Sequence, residues 1–185
     1  MFHLITGGSG SGKSSYAEER MLCYSRQEEA MEGKGKRPCI YLASMKPYGE
    51  ETQKKIERHQ RMRAGKGFVT IECYTELDKA VLPSNSGILL ECLSNLAANE
   101  LYRKDGVSRD CIKTSERILE GIRHLLNHTE NLVVVTNEVS SDIGAYSFET
   151  KEYIAMLGRL NQRLADMADK VTEVVYGIPV PVKES

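Results

Sequence analysis

Short apolar runs alternate with amphipathic stretches along the chain. Five of these runs are rich in aliphatic and β-branched residues and are bounded by Gly, Pro or polar residues, a pattern that predicts buried strands. They cover residues 2–6, 39–43, 87–93, 132–136 and 172–176. Amphipathic helices are predicted between them, at residues 13–31, 50–63, 94–102, 113–127 and 151–170.

The alternation of strand and helix predicts an α/β fold in which helices flank both faces of a mostly parallel sheet. The tail GIPVPVK adds a short hairpin strand, and its two prolines confine that strand to an edge of the sheet. Residues 32–38 are a polar connector rather than a domain boundary. We therefore expect a single domain that comprises residues 1–185.

Composition and charge narrow the class of protein. Of the 185 residues 41% are hydrophobic and 28% charged, as in globular domains, and the net charge of −1 gives no global attraction to nucleic acid. The apolar runs are too short to span a bilayer, and the N-terminus lacks a signal-peptide pattern. Five cysteines without a CxxC pair argue against a disulfide framework or a structural zinc site. These features predict a cytoplasmic protein with reduced thiols and small-molecule partners.

The clearest chemical signal directly follows the first predicted strand. There GGSGSGKS places Gly7, Gly12, Lys13 and Ser14 in the pattern G-x-x-x-x-G-K-[ST]. The glycines let backbone N–H groups turn toward phosphate oxygens, the lysine reaches the β- and γ-phosphates, and the serine ligates Mg²⁺. A strand and a helix flank the motif, as this mechanism requires. The segment is therefore predicted to be a P-loop that binds a nucleoside triphosphate.

Acidic and amide residues follow two other apolar strands. Glu91 comes directly after Ile88, Leu89 and Leu90, so it lies where open α/β sheets bind their ligands and can serve as the second acid near Mg²⁺. The alternative is an ion pair with a nearby lysine. Asn137 and Glu138, written together as 137–138, end another strand and are weaker candidates, because polar residues also simply end strands.

The histidines outside the central segment have simpler interpretations. His124 and His128 are four residues apart and could place two metal ligands on one helix face, but no third ligand accompanies them. A solvated last helical turn is favoured instead. His3, in the first strand, is expected to be half-buried with its hydrogen bonds satisfied.

The segment KKIERHQRMR, residues 54–63, has almost no apolar stripe for packing. Six basic and two acidic residues between positions 51 and 66 give a local charge of +4 in a chain whose total is −1. Lys55, His59 and Arg63 are spaced four apart and share one face of the predicted helix. Such a face attracts polyphosphate, and the imidazole could attack phosphorus. Composition alone favours a solvated charged surface.

The motifs together resemble the bifunctional adenosylcobinamide kinase and adenosylcobinamide-phosphate guanylyltransferase family of cobalamin biosynthesis. The matching segments run in order over nearly the whole chain: ITGGSGSGKSSYAEE, IYLAS, KIERH, FVTIE, LLECLSNL, VVVTNEV, GRLNQRLADMADKV and GIP. The resemblance implies a P-loop NTPase-like domain, a homotrimer and two activities. One phosphorylates the aminopropanol hydroxyl of adenosylcobinamide, and the other transfers GMP from GTP to that phosphate through a covalent guanylyl-histidine.

Matched by position, the resemblance assigns roles to individual residues. His59 is the histidine that takes GMP, with Lys13 as a further catalytic residue, and Ser14 and Glu91 hold Mg²⁺. GTP and ATP are the implied nucleotide substrates. The implied nucleotide-binding residues are Gly7, Gly8, Ser9, Gly10, Ser11, Gly12, Lys13, Ser14, Ala43, Ser44, Met45, Met62, Arg63, Ala64, Gly65, Glu72 and Glu91.

Some positions depart from the family pattern. Ala64 stands where the family usually has proline, and Phe68 stands near the position of a tryptophan. Ile154 and Ala155 occupy places where the family has Arg and Asp, after a segment that lacks the usual glycine-rich turn. Two other functions therefore stay open: a P-loop kinase of another small molecule, and a nucleotide-binding protein that has lost catalysis.

Overall fold

A seven-stranded sheet forms the centre of the protein. The computed structural model describes residues 1–32, 37–83, 85–103, 110–139 and 146–184. Its strands are β1 (Phe2–Thr6), β2 (Cys39–Ala43), β3 (Phe68–Glu72), β4 (Gly87–Glu91), β5 (Leu132–Val135), β6 (Lys170–Val175) and β7 (Ile178–Lys183). Its α-helices are α1 (Lys13–Glu32), α2 (Gly49–Arg63), α3 (Leu93–Leu101), α4 (Cys111–His128) and α5 (Phe148–Met167), with a 3₁₀ turn at Leu77–Lys79.

The strand order across the sheet is β3-β2-β4-β5-β1-β6-β7. All neighbouring strands are parallel except β6 and β7, which form an antiparallel hairpin at one edge. The predicted mostly parallel sheet with a C-terminal edge hairpin is therefore confirmed. Strand β1 lies inside the sheet, with Leu4 opposite Val134 of β5 on one side and Val171 of β6 on the other.

Each face of the sheet carries its own apolar core. Alternate side chains of the strands point to opposite faces, so Ile40 and Leu42 join the cluster formed with α3, α4 and α5. Tyr41 lies on the other face, where the cluster includes Ala17 and Met21 of α1. No described residue of α2 belongs to either cluster. This helix is held by other means, described below.

The structure shifts several predicted boundaries and adds one strand. The prediction missed β3, because this edge strand is bonded only to β2 and buries none of its five residues fully. Helix α5 begins at Phe148 because the Ser147 hydroxyl caps it, accepting from Thr150 N at 3.3 Å. It ends before Lys170, where β6 begins. Strand β4 stops at Glu91 and α3 starts at Leu93, earlier than predicted.

Three expectations about single features can be compared with the described residues. His3 is buried rather than half-buried, and its ring nitrogens bond Tyr24 Oη and Thr172 Oγ1, both at 2.8 Å. His128 Nδ1 lies 2.7 Å from the carbonyl oxygen of His124, and the described residues contain no group of three that could hold a metal. Within that part of the chain no helix is long and apolar enough to cross a membrane. Residues 33–36 of the predicted connector lie outside the described residues.

Candidate active site

The loop between β1 and α1 has the backbone that a phosphate cradle needs. Gly7, Gly10 and Gly12 have φ values of 151°, 73° and 92°, which favour glycine. A Cβ atom on Gly7 would lie 2.5 Å from the carbonyl oxygen of Val174. The loop is closed by Ser11 N, which donates to Gly8 O at 3.2 Å. Side chains are therefore excluded from the inside of the turn, which leaves backbone N–H groups to face a phosphate.

Lys13 is the first residue of α1 and is buried at 7% exposure. Its Nζ donates to the carbonyl oxygen of Gly8 at 2.9 Å, so the ammonium lies along the loop. Burial lowers the pKa of Lys13, while Cys92 and Glu91 act in the opposite direction. A desolvated ammonium at the N-terminus of a helix is a strong partner for the charge of a polyphosphate.

Glu91 connects the loop to the neighbouring strand. It ends β4, and its register partner in β2 is Ala43, so the two lie side by side at the carboxyl edge of the sheet. One carboxylate oxygen accepts from the hydroxyl of Ser14 and the other accepts from Tyr41 Oη at 2.9 Å. Burial and Glu91 raise the pKa of Tyr41, so the phenol stays protonated and donates. The buried acid is thus fixed in one orientation next to the P-loop.

His59 lies on α2 and faces this carboxylate. Its Nδ1 is 3.9 Å from Glu91 Oε1, and the side chain is 26% exposed. Nδ1 is buried and has no hydrogen-bond partner among the described residues. Together with Ile56 and Asn95, the imidazole lines a cavity of about 60 Å³ beneath α2. The nucleophile candidate and the P-loop serine are therefore joined through one carboxylate.

Arg63 ends α2 and is the only described residue of that helix that is fully buried. Its guanidinium carbon lies 3.4 Å from the centroid of the Tyr41 ring, a cation–π contact. Nε and Nη1 of Arg63 are buried without a hydrogen-bond partner among the described residues. Buried donors of this kind are costly unless they meet an acceptor. The arginine therefore presents two donors to an anion between α2 and the sheet.

The other predicted site residues fall into three groups. Ala43, Met45 and Glu72 line the His59 cavity. Ser44 is fully buried, and its hydroxyl donates to the carbonyl of Cys92 and accepts from the N–H of Cys92, both at 2.8 Å, so it supports the end of β4.

The third group lies apart from His59. Ala64 and Gly65 border a separate surface hollow beside Arg63. The side chain of Met62 lies outside the described residues. Of the weaker candidates, Asn137 donates to Ser94 Oγ at 2.5 Å, and Glu138 N donates to Gly7 O at 3.2 Å. This strand end therefore supports the P-loop from behind.

Sequence reasoning missed Tyr41, which touches both Glu91 and Arg63. The available signal was its place in the second strand, two residues before the predicted site residue Ala43. Because side chains alternate along a strand, Tyr41 and Ala43 point to the same face, the one that α1 covers. An aromatic hydroxyl on that face needs a polar partner, and Glu91 supplies it.

The parallel sheet, the glycine-rich turn after β1, and a buried lysine and carboxylate at its mouth define a P-loop nucleotide-binding protein of the α/β class. The profile of one family, described as "Cobinamide kinase / cobinamide phosphate guanyltransferase", matches residues 3–182. The chain belongs to this family. The assignment confirms the resemblance found in the sequence, the transferase class and the two activities expected of it.

Characterised relatives match along their whole length. The bifunctional adenosylcobalamin biosynthesis protein CobU of Salmonella typhimurium is 31% identical over 195 residues, which cover 99% of this chain and 100% of the relative. CobU of Escherichia coli is 30% identical with the same coverage. CobP of Pseudomonas aeruginosa is 28% identical and covers 99% of this chain and 98% of the relative.

Solved structures with similar folds are more distant in sequence. The ATPase domain of a helicase is 13% identical, with a TM-score of 0.47, and covers 93% of this chain and 68% of that one. The flagellar accessory protein FlaH from Methanocaldococcus jannaschii is 11% identical, with a TM-score of 0.49, and covers 100% and 78% respectively.

Proposed function

We propose that the protein transfers GMP from GTP to adenosylcobinamide phosphate through a covalent guanylyl group on His59, and that the same P-loop serves the kinase step. The observation that carries this proposal is the link from His59 through Glu91 to Ser14. A histidine on a mostly exposed helix has no structural need to face a buried carboxylate at a P-loop. A nucleophile does, because it must reach a phosphorus atom held there.

In the first half-reaction, Nε2 of His59 attacks the α-phosphorus of GTP, an N–P bond forms, and pyrophosphate leaves. A carboxylate near Nδ1 favours the tautomer with hydrogen on that atom, which leaves the Nε2 lone pair for phosphorus. The present distance of 3.9 Å is about 1 Å longer than a hydrogen bond. We expect it to shorten when nucleotide binds, as catalytic contacts often do.

In the second half-reaction, a phosphate oxygen of adenosylcobinamide phosphate attacks the same phosphorus and the N–P bond breaks. In-line displacement places the entering and leaving groups on opposite sides of phosphorus. His59 entered opposite pyrophosphate, so the acceptor must enter from the side that pyrophosphate left. The P-loop therefore holds the leaving pyrophosphate first and the acceptor phosphate afterwards.

Lys13 and Arg63 supply positive charge to these steps. Lys13 lies along the phosphate loop, and the two unpartnered N–H groups of Arg63 are the best available donors for the transferred phosphoryl group. In the kinase step, the aminopropanol hydroxyl of adenosylcobinamide attacks the γ-phosphorus of ATP or GTP and the nucleoside diphosphate leaves.

A magnesium ion fits the residues at the loop. The hydroxyl of Ser14 and the carboxylate of Glu91 lie in contact, and oxygen donors of these kinds are those that Mg²⁺ prefers. We propose that Ser14 and Glu91 hold the ion, Glu91 either directly or through water. When bound, the ion neutralises phosphate charge.

We further propose that the single domain of residues 1–185 assembles as a homotrimer in the cytoplasm. Strand β7 supports the assembly, because it is an edge strand whose side chains Ile178, Val180 and Val182 are 65%, 43% and 64% exposed. Apolar edges of this kind are usually covered in soluble proteins. Light scattering after gel filtration would give the mass of the particle.

The covalent step can be tested by incubating the protein with Mg²⁺ and GTP labelled with ³²P at the α-phosphate. We expect acid-labile, alkali-stable label on the wild type and none on His59→Ala. His124→Ala is the matched control and should label normally. If the wild type binds GTP but takes no label, the guanylyl-histidine is wrong. Phosphorylation of adenosylcobinamide without labelling would leave a kinase alone, and binding without turnover would indicate a nucleotide-binding protein.

A further inference from the structure

The helix that carries His59 has an unusual attachment to the rest of the protein. Of its described side chains, Arg63 alone is buried, and Thr52, Ile56 and His59 are half-buried. No described residue of α2 belongs to an apolar core. Apolar packing, which normally fixes the position of a helix, therefore does little for α2. Polar contacts at its C-terminal end must fix its position.

The turn after α2 provides one such contact. Gly65 and Gly67 have φ values of 81° and 84°, and between them Lys66 N donates to the carbonyl oxygen of Arg63 at 3.0 Å. This turn sends the Lys66 side chain to α1, where Nζ lies 2.5 Å from Glu18 Oε2. The ammonium is one-third exposed, whereas the carboxylate side chain is only 1% exposed.

Glu18 has no place in the chemistry proposed above, yet it is one of the most buried charged side chains in the described residues. Its Oε1 has no hydrogen-bond partner there, so Lys66 is its main compensation. A charge buried at this cost indicates a specific need for it. Glu18 also follows Ser14 by four residues on α1, so the two side chains lie one above the other on one face of that helix.

We propose that Glu18 and Lys66 are positioning residues that fix the C-terminal end of α2 on the P-loop helix, so that His59 is held in register with the α-phosphorus of the nucleotide. This inference rests on the guanylyl-histidine proposed above. Two links then join α1 to the nucleophile helix one turn apart: Ser14 through Glu91 to His59, and Glu18 to Lys66. The first lies at the reacting atoms and the second sets the angle from which the helix approaches them.

The test uses single-turnover labelling of His59 by α-³²P GTP in Lys66→Met, Glu18→Gln and the double variant. Each single variant should label about 10- to 100-fold more slowly, because small displacements of a reacting group have effects of this size. Affinity for GTP and the rate of phosphoryl transfer from ATP to adenosylcobinamide should stay close to wild type, since both need the P-loop but not His59. Lys66→Arg should restore most of the labelling rate, and Lys54→Met, which removes an exposed lysine from the same helix, should have no effect.

The double variant distinguishes a pair from two independent residues. If the two act as one unit, losing both costs no more than losing either, and the labelling rate of the double variant should equal that of the slower single variant. Additive losses would overturn the proposal. So would a normal labelling rate in Lys66→Met, or parallel losses of labelling, kinase rate and melting temperature, which indicate a purely structural pair. A wild type that takes no label refutes the guanylyl-histidine itself, and this role for the pair with it.

Discussion

The hydroxyl of Tyr41 offers a sharp test of the site, because a Tyr41→Phe substitution removes one hydrogen bond and little else. The ring that stacks against Arg63 remains, and only the donor to Glu91 Oε2 is lost. Tyr41 is 4% exposed and Glu91 is 9% exposed, so water cannot easily replace the lost partner. A buried hydrogen bond to a charged group contributes about 1.5 to 3 kcal/mol. We expect the free energy of unfolding to fall by that amount.

Tyr74→Phe is the matched control. Tyr74 Oη donates to Glu72 Oε2 at 2.6 Å, but this bond is exposed to solvent, so water can replace it. Its loss should cost less than about 0.5 kcal/mol, as is usual for surface substitutions. Burial rather than hydrogen-bond length therefore decides the difference between the two variants.

Urea unfolding followed by far-UV circular dichroism measures both variants, and the chain contains no tryptophan for fluorescence. For a protein of this size, 1 kcal/mol corresponds to about 2 to 4 °C in melting temperature. The loss in Tyr41→Phe should also slow His59 labelling by about 10-fold, because Glu91 is less well oriented. Equal midpoints and m-values for Tyr41→Phe and wild type would refute the reasoning. So would equal losses in the two variants.

Three further predictions concern the loop, the acid and a core histidine. Gly7→Ala should abolish measurable ATP binding, because its Cβ would lie 2.5 Å from Val174 O, whereas Gly8→Ala, whose Cβ meets nothing within 4 Å, should bind nearly normally in titration calorimetry. Glu91→Gln should weaken Mg²⁺ dependence of nucleotide binding by about 10- to 100-fold, as judged by Mg²⁺ titration, with Glu72→Gln nearer to wild type. Burial, followed by Lys170 and Arg20, lowers the pKa of His3 from 6.5 to about 4, so the unfolded chain binds its proton first as the pH falls. Stability from a neutral His3 is present above pH 6.5 and is lost between pH 6.5 and 4, so wild type should lose about 2.5 kcal/mol more than His3→Gln between pH 7 and 4.5 in urea unfolding; equal losses would contradict this.

Most of the fold follows from local patterns in the sequence. The buried strands of the sheet centre are continuous apolar runs, such as Leu132–Val135, and each is bounded by polar residues. Edge strand β3 was missed because Val69 and Thr70 are exposed and leave too short a pattern. The start of α5 depended on the Ser147 cap, which a hydrophobic period does not record.

The site was predictable to the extent that chemistry is encoded in motifs. The P-loop, Glu91 and His59 are marked by spacing, by strand ends and by a helix without an apolar face. Tyr41 and the Glu18–Lys66 pair are not marked, because their importance comes from contacts between segments far apart in the chain. Such contacts depend on strand order and on the path of the turn after α2, which no local pattern specifies.

The position of β1 between β5 and β6 has a consequence for biosynthesis. Gly7 packs against Val174, Glu138 N bonds Gly7 O, and Gly177 N bonds Ser11 O at 2.8 Å. The phosphate loop is therefore among the first segments to leave the ribosome, yet it is supported by residues made near the end of translation. A nascent chain that has not yet released β6 has no finished cradle, so ATP and GTP can assist its folding only after synthesis is nearly complete.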